Sequence, residues 1–183
     1  MERPHWDYYL TVMDDLREAS RFVEFTSSNF GTHSLEFVRI ILAVGSEVDV
    51  VAKVLCEQIK PKETARNIDD YRRIITEKHP SLSRVQITAP KYGLTFTPWC
   101  GWESGQNPKW WTSYNNIKHH RNTYYADASL ENVLLGASGL CALLGYLYAE
   151  FFASKYIQRP LVFFDDNYAL KPLVLTGRHF KLP

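Results

Sequence analysis

The chain has 183 residues, 45% of them hydrophobic and 14% aromatic, which is enough apolar side chain for one folded domain and excludes an intrinsically disordered protein. Its 21 lysines and arginines nearly balance its 20 aspartates and glutamates, so any recognition of phosphate must be local rather than spread over the whole surface. The three cysteines have no CxxC spacing, and we expect a cytoplasmic protein without a secretory signal rather than a disulfide framework or a zinc module.

The first half of the chain carries the apolar spacing of three helices. They are predicted at Trp6 to about Val23, at about Ser34 to Ile59, and from Asn67 or Ile68 to Lys78. Within the second helix, Glu47 lies between Val44 and Val51, on or beside the buried stripe. A lone carboxylate is rare in that position unless it is paired, so we expect Glu47 to have a partner.

The second half begins with a change of period. Residues 84–88 and 94–97 alternate apolar and polar around Ala89–Gly93, which predicts a short β-hairpin. A fourth helix is predicted from Pro108, with Asn107 as its N-cap, and a fifth from Ser129 to near Lys155. The prediction is therefore a mainly α fold: a single domain over 1–183, with a bundle of about five helices (core about 6–155), a β-hairpin insertion and an extended C-terminal tail (about 156–183).

The fifth predicted helix is apolar on all sides. From Val133 to Ala149 the chain is uncharged, which approaches the length of about 20 residues needed to cross a bilayer. The run is bounded by Glu131 and Glu150 and contains three glycines and two tyrosines. We therefore expect a buried core helix and no membrane partner.

The fourth helix has an unusual mixture of aromatic, amide, imidazole and cationic side chains. At 3.6 residues per turn, Trp110, Tyr114, Ile117 and Arg121 follow one line and Trp111, Asn115, Lys118 and Asn122 follow the next. The face that should enter the core therefore has polar groups along its margin. Because such groups are costly to bury unpaired, they must either find partners in the fold or act on a ligand.

Two interpretations of this helix stay open. In the functional one, His119 or His120 is a general base for RNA, and Lys118 and Arg121 hold the phosphate. In the structural one, Asn115, Lys118 and Arg121 pair with Glu47 and Asp49, and the tryptophans pack in the core. Neighbouring histidines point about 100° apart and chelate poorly, so we predict no metal and no cofactor. The predicted site comprises His119, His120 and Arg121 as catalytic residues and Lys118, Asn115, Trp111, Tyr114 and Glu47 as binding residues.

The pattern Trp110-Trp111-x-x-Tyr114-Asn115-x-x-Lys118-His119-x-Arg121, followed by a leucine-rich helix with small residues, resembles a group of bacterial proteins. That group in turn resembles the HEPN superfamily, whose members are compact helical bundles, often dimers, in toxin–antitoxin, abortive-infection and RNA-processing systems. Many of them are metal-independent ribonucleases. In catalytic members an arginine precedes the histidine, whereas here the order is His119-His120-Arg121, and only Arg72 or Arg73 with His79 has the family's order.

The resemblance implies a homodimer that binds RNA or a nucleotide and is a candidate metal-independent ribonuclease in defence or stress response. The alternative is a dimeric interaction module that has kept the bundle and lost the chemistry.

Overall fold

A computed structural model describes residues 3–149 as a bundle of helices with one small sheet. The elements are α1 (Pro4–Ala19), α2 (Leu35–Ile59), α3 (Ile68–Lys78), β1 (Ile87–Ala89), β2 (Leu94–Phe96), α4 (Lys109–Tyr124) and α5 (Leu130–Leu147). The predicted mainly α fold with five helices and a β-hairpin is confirmed. The predicted tail over 156–183 and the predicted end of the fifth helix near Lys155 lie outside the described residues.

α2, α3 and α5 begin within one residue of their predicted starts, and each is capped by a side chain. Ser34 Oγ accepts from the backbone N–H of Phe37, Asn67 Oδ1 accepts from the first turn of α3, and Ser129 Oγ accepts from Asn132 N–H. Each bond satisfies an N–H group that has no partner inside the helix. These local signals fix where α2, α3 and α5 begin.

Two predicted helix ends are wrong. α1 stops at Ala19, four residues short of Val23, and the chain then forms a turn in which Phe22 is 79% exposed. α4 begins at Lys109 rather than Pro108. Asn107 does not cap α4, because its side-chain oxygen accepts from the Arg72 guanidinium at 3.0 Å.

The buried centre of the bundle is α5, which packs against α2, α4 and α1. By length and composition it is the one helix within residues 3–149 that could cross a membrane, yet 89% of its 18 residues are buried inside the fold. That burial agrees with the predicted core helix, whose apolar side chains on all faces find neighbours in the bundle.

Glycines let the aromatic rings of α4 lie close to the neighbouring helices. A Cβ at Gly45 of α2 would stand 2.3 Å from Cδ2 of Tyr114, and one at Gly139 of α5 would stand 2.9 Å from the Trp110 ring. The Trp110 indole N–H also donates to Pro98 O at 2.9 Å. α4 is therefore fixed between α2 and α5 along its first ten residues.

The sheet is a two-stranded antiparallel hairpin. Ile87 pairs with Phe96 and Ala89 with Leu94, and Gly93 provides the left-handed turn conformation (φ 64°) between the strands. Ile87 and Phe96 are buried, so the hairpin closes one side of the core.

Candidate functional site

The candidate site lies where α4 departs from helical geometry. The backbone of His120 has φ −141° and ψ 40°, which interrupts the helix one residue before Arg121. Trp110, Tyr114 and Ile117 are buried, whereas Arg121 is exposed. The prediction that Arg121 continues their line is wrong, because the regular spacing of an α-helix does not extend across the break.

Side-chain hydrogen bonds hold the chain after the break. Asn116 Nδ2 donates to Asp127 Oδ2 at 2.9 Å, and Asn132 Nδ2 donates both to Asp127 O at 2.9 Å and to Ser113 Oγ at 3.0 Å. The next residue, Ala128, is completely buried. The segment that links α4 to α5 is thus tied to both helices close to the break.

A surface pocket of about 650 Å³ opens beside the break. Its lining consists of Leu42, Ile117, Lys118, His119, Arg121, Asn122 and Tyr125. One part is apolar, formed by α2 and the buried side of α4, and the other is cationic and contains no carboxylate. Two positive charges without an acidic neighbour in the lining favour an anionic ligand.

The cations of the pocket are not neutralised within residues 3–149. Lys118 Nζ lies over the Tyr114 ring, 5.6 Å from its centroid, and neither Lys118 nor Arg121 forms an ion pair with a carboxylate of the described chain. In contrast, Arg17, Arg39, Arg72 and Arg73 all pair with acidic side chains. The cationic side of the pocket therefore retains its capacity to bind an anion.

The structure separates the two predicted histidines. His119 lines the pocket, whereas His120 lies at the break outside the lining, with its ring centroid 6.4 Å from that of His119 and 6.4 Å from that of Tyr124. Of the predicted catalytic residues, His119 and Arg121 are brought together with Lys118. His120 is not.

Three predicted binding residues of α4 belong to the interior or its margin instead. Trp111 and Tyr114 are 7% and 4% exposed, and their rings contact each other with centroids 5.2 Å apart. Asn115 donates to Trp111 O one turn earlier, at 2.9 Å. The structure corrects the prediction that these side chains bind a ligand, because burial leaves the aromatic rings of Trp111 and Tyr114 without a face for stacking.

Glu47 has a different partner from the one predicted. Its Oε1 is 2.7 Å from His5 Nδ1 of α1, and the two side chains are 12% and 22% exposed. Asp49 pairs with Lys53 and accepts from Tyr71 OH at 2.8 Å. The network between these carboxylates and α4 is therefore not formed, because α2 turns them towards α1 and α3.

The pairing of Arg72 or Arg73 with His79 also does not form a site. Arg72 binds Asp69 at 3.0 Å, and Arg73 pairs with Glu63. The His79 ring packs against Tyr146 with centroids 4.6 Å apart, and burial, followed by the charge of Lys78, lowers its pKa. The guanidinium groups of Arg72 and Arg73 are therefore paired with carboxylates of the fold.

Four pocket residues were not predicted as site residues from the sequence: Leu42, Ile117, Asn122 and Tyr125. Tyr125 follows Tyr124 in an otherwise polar segment, and the two rings are 37% and 41% exposed. Neighbouring aromatic side chains on a polar segment were the available signal. Leu42 lies at the edge of the buried stripe of α2, and the sequence contains no signal that it lines a pocket.

Other chemistries find little support in the described chain. No group of three or more His, Cys, Asp or Glu side chains that could hold a metal ion occurs there. Burial raises the pKa of Cys56 and Cys141 to about 12, so both are protonated thiols at neutral pH. Comparisons with protein-family models, with curated proteins and with solved structures found no match to this chain.

Proposed function

We propose that this protein binds single-stranded RNA through the pocket beside the break in α4 and cleaves it without a metal ion. The observation that carries the proposal is the convergence of Lys118, His119 and Arg121 on one pocket without a carboxylate. Exposed cations hold the phosphate of a nucleic acid, and a pocket of this kind needs no basic surface elsewhere.

The proposed chemistry is an internal attack on the RNA backbone. His119 in its neutral form accepts the proton of a 2′-hydroxyl, and the 2′-oxygen forms a bond to the neighbouring phosphorus. The bond from phosphorus to the 5′-oxygen breaks, and that oxygen takes up a proton from the imidazolium or from water. Lys118 and Arg121 stabilise the charge that develops on the phosphate, and the products are a 2′,3′-cyclic phosphate and a 5′-hydroxyl.

Binding is tested with a fluorescein-labelled oligoribonucleotide that is methylated at every 2′-oxygen, so that it stays intact, in buffer with EDTA. Lys118→Ala and Arg121→Ala should each weaken binding and lower the slope of log affinity against log salt by about 0.7, the value for one lost contact with a phosphate of a single strand. The matched controls are Lys62→Ala and Arg66→Ala, which are exposed and lie beyond the other end of α2, roughly 25 Å along that helix from Leu42. Equal effects of site and control variants would contradict the proposal.

Cleavage is tested with unmodified single-stranded RNA and EDTA. His119→Gln should abolish cleavage, whereas His120→Gln, which changes the neighbouring imidazole outside the pocket, should retain most of it. Both variants should melt at nearly the temperature of the unaltered protein, since both side chains are exposed. RNA that is bound but never cut would favour the non-catalytic module that the sequence left open.

The homodimer, the cytoplasmic location and the absence of a membrane partner stay predictions. So does the relationship to the HEPN superfamily, which supports this proposal as a resemblance in sequence pattern.

A further inference from the structure

Tyr125 is the aromatic residue among those that line the pocket together with Lys118 and Arg121, apart from the imidazole of His119. This residue lies five positions after the break and belongs to the short 3-10 helix Tyr125–Asp127. Its ring lines the pocket and is 37% exposed. Leu42 and Ile117 line the same pocket. An aromatic ring beside aliphatic side chains, next to cations, is the combination that binds an unpaired base together with its phosphate.

The ring of Tyr125 is braced on one side by His33. The two rings meet edge to face, with centroids 5.7 Å apart and planes at 87°. Such a contact covers at most one face of the tyrosine, and the side chain is still 37% exposed, so part of it is accessible to a ligand. His33 is 92 positions away in sequence, which is why no local pattern links it to the pocket.

The backbone holds His33 in place. His33 forms an antiparallel bridge with Ser129, and Leu130 N–H and Glu131 N–H donate to Thr32 O at 2.8 Å and to Phe30 O at 3.2 Å. Tyr125 is fixed from the same side, because its carbonyl accepts from Ala128 N–H at 3.1 Å. The backbone of both residues is thus held at the start of α5. The mutual position of the two rings is therefore preorganised before a ligand binds.

We infer that the Tyr125 ring, positioned by His33, stacks on an unpaired base whose phosphate is held by Lys118 and Arg121. This inference rests on the proposed function and gives it a substrate class: single-stranded RNA with accessible bases rather than any phosphate-bearing chain. The pocket volume of about 650 Å³ lies within the range of volumes of small-molecule sites. Asn122, whose amide has both donors and an acceptor, lines the same pocket and can bind the edge of the base.

The test compares two labelled strands of ten residues with the same 2′-O-methylated backbone, one an oligoadenylate and the other abasic. The full chain should bind the oligoadenylate about ten-fold more tightly, the effect of one good base-stacking contact. Tyr125→Ala should remove that preference and leave binding of the abasic strand within two-fold, and Tyr125→Phe should keep it. Tyr124→Ala is the matched control, because this neighbouring ring is equally exposed but outside the pocket.

The positioning role of His33 is tested on the same two strands. His33→Ala should weaken binding of the oligoadenylate several-fold without changing the abasic strand, and His33→Phe, which keeps a ring edge against Tyr125, should restore it. Equal binding of both strands, with no effect of Tyr125→Ala, would overturn the stacking subsite and leave the phosphate site standing. Binding of neither strand would overturn the proposed function and this inference with it.

Discussion

At the scale of single residues, the pair of Glu47 and His5 shows how a partly buried carboxylate is satisfied in this fold. The sequence indicated that Glu47 needs a partner, and the partner is an imidazole 42 positions earlier, on α1. Because a carbonyl or carboxylate oxygen only accepts, the contact at 2.7 Å requires the proton on Nδ1 of His5. The bond ties the first turn of α1 to the middle of α2.

Replacing Glu47 by alanine should lower the free energy of unfolding by about 1.5–3 kcal/mol, the range for a hydrogen bond to a charged group that is largely shielded from water. Glu57→Ala is the matched control on the exposed face of α2 and should cost less than about 0.5 kcal/mol. Urea titrations of both variants measure the difference. A double-mutant cycle with His5→Ala should show coupling above about 0.5 kcal/mol, and no coupling would mean that the pair contributes nothing to stability.

His79 predicts a pH dependence of stability. Burial lowers its pKa in the folded protein below the value of 6.5 that it has when unfolded. The unfolded chain therefore binds the proton more readily, so stability is complete above about pH 6.5 and falls as the pH drops through the folded pKa. Urea midpoints at pH 7.5 and 5.5 should differ less in His79→Gln than in the unaltered protein. Glu63, whose pKa is lowered from 4.5, loses its contribution to stability only at lower pH, so it does not interfere in this range. A pH dependence in His79→Gln that equals that of the unaltered protein would contradict the prediction.

At the scale of elements, the close approach of α2 and α4 depends on Gly45. Alanine favours a helix over glycine by about 1 kcal/mol, yet its Cβ would stand 2.3 Å from the Tyr114 ring. Gly45→Ala should therefore destabilise the protein by at least about 2 kcal/mol through overpacking. Gly31→Ala, where a Cβ meets nothing within 4 Å, should stay within about 0.5 kcal/mol.

The contact between residue 45 and the Tyr114 ring is tested by adding Tyr114→Leu to Gly45→Ala. The double variant should lose less stability than the sum of the two single changes, because the smaller side chain makes room for the Cβ. Additive losses in thermal or urea unfolding would show that α2 and α4 do not contact each other at this point.

The elements also show what the sequence could predict. Apolar spacing and capping residues located α2, α3 and the start of α5, because these signals act within a few residues of each other. The break at His120 carries no glycine or proline, and it lies beside a segment in which Asn116 and Asn132 bind Asp127. Contacts of that kind depend on how α4 and α5 meet, which no local pattern contains.

The candidate site also combines residues that a local sequence pattern predicts with residues that only the fold brings together. Lys118, His119 and Arg121 were predicted because their chemistry is visible in the sequence, and they do line one pocket. Trp111 and Tyr114 were assigned to ligand binding because a pattern of aromatic residues does not reveal which rings are buried, and Tyr114 is buried against Gly45 of a neighbouring helix. Leu42 lines the pocket from α2, and His33 contacts the pocket residue Tyr125 from the segment before α2, so only the fold brings them to the site.

At the scale of the whole molecule, positive and negative side chains are nearly equal in number, but the positive ones are unevenly paired with acidic neighbours. Most arginines of the described chain are neutralised by acidic neighbours, whereas the pocket beside α4 keeps two cations that bind no carboxylate within residues 3–149. A local concentration of positive charge without carboxylate partners in the described chain directs an anionic ligand to that place, since distant surface charges are screened in physiological salt.

The most direct test of the central claim is a nuclear magnetic resonance titration of the full chain, labelled with ¹⁵N, with a single-stranded 2′-O-methylated oligoadenylate in the presence of EDTA. We predict that the largest backbone amide shifts fall on residues 117–125 and on Leu42 and His33, and that Arg121→Ala removes them. Shifts concentrated elsewhere in the chain, with the amides around the break unchanged at saturation, would contradict the assignment of this pocket as the RNA site.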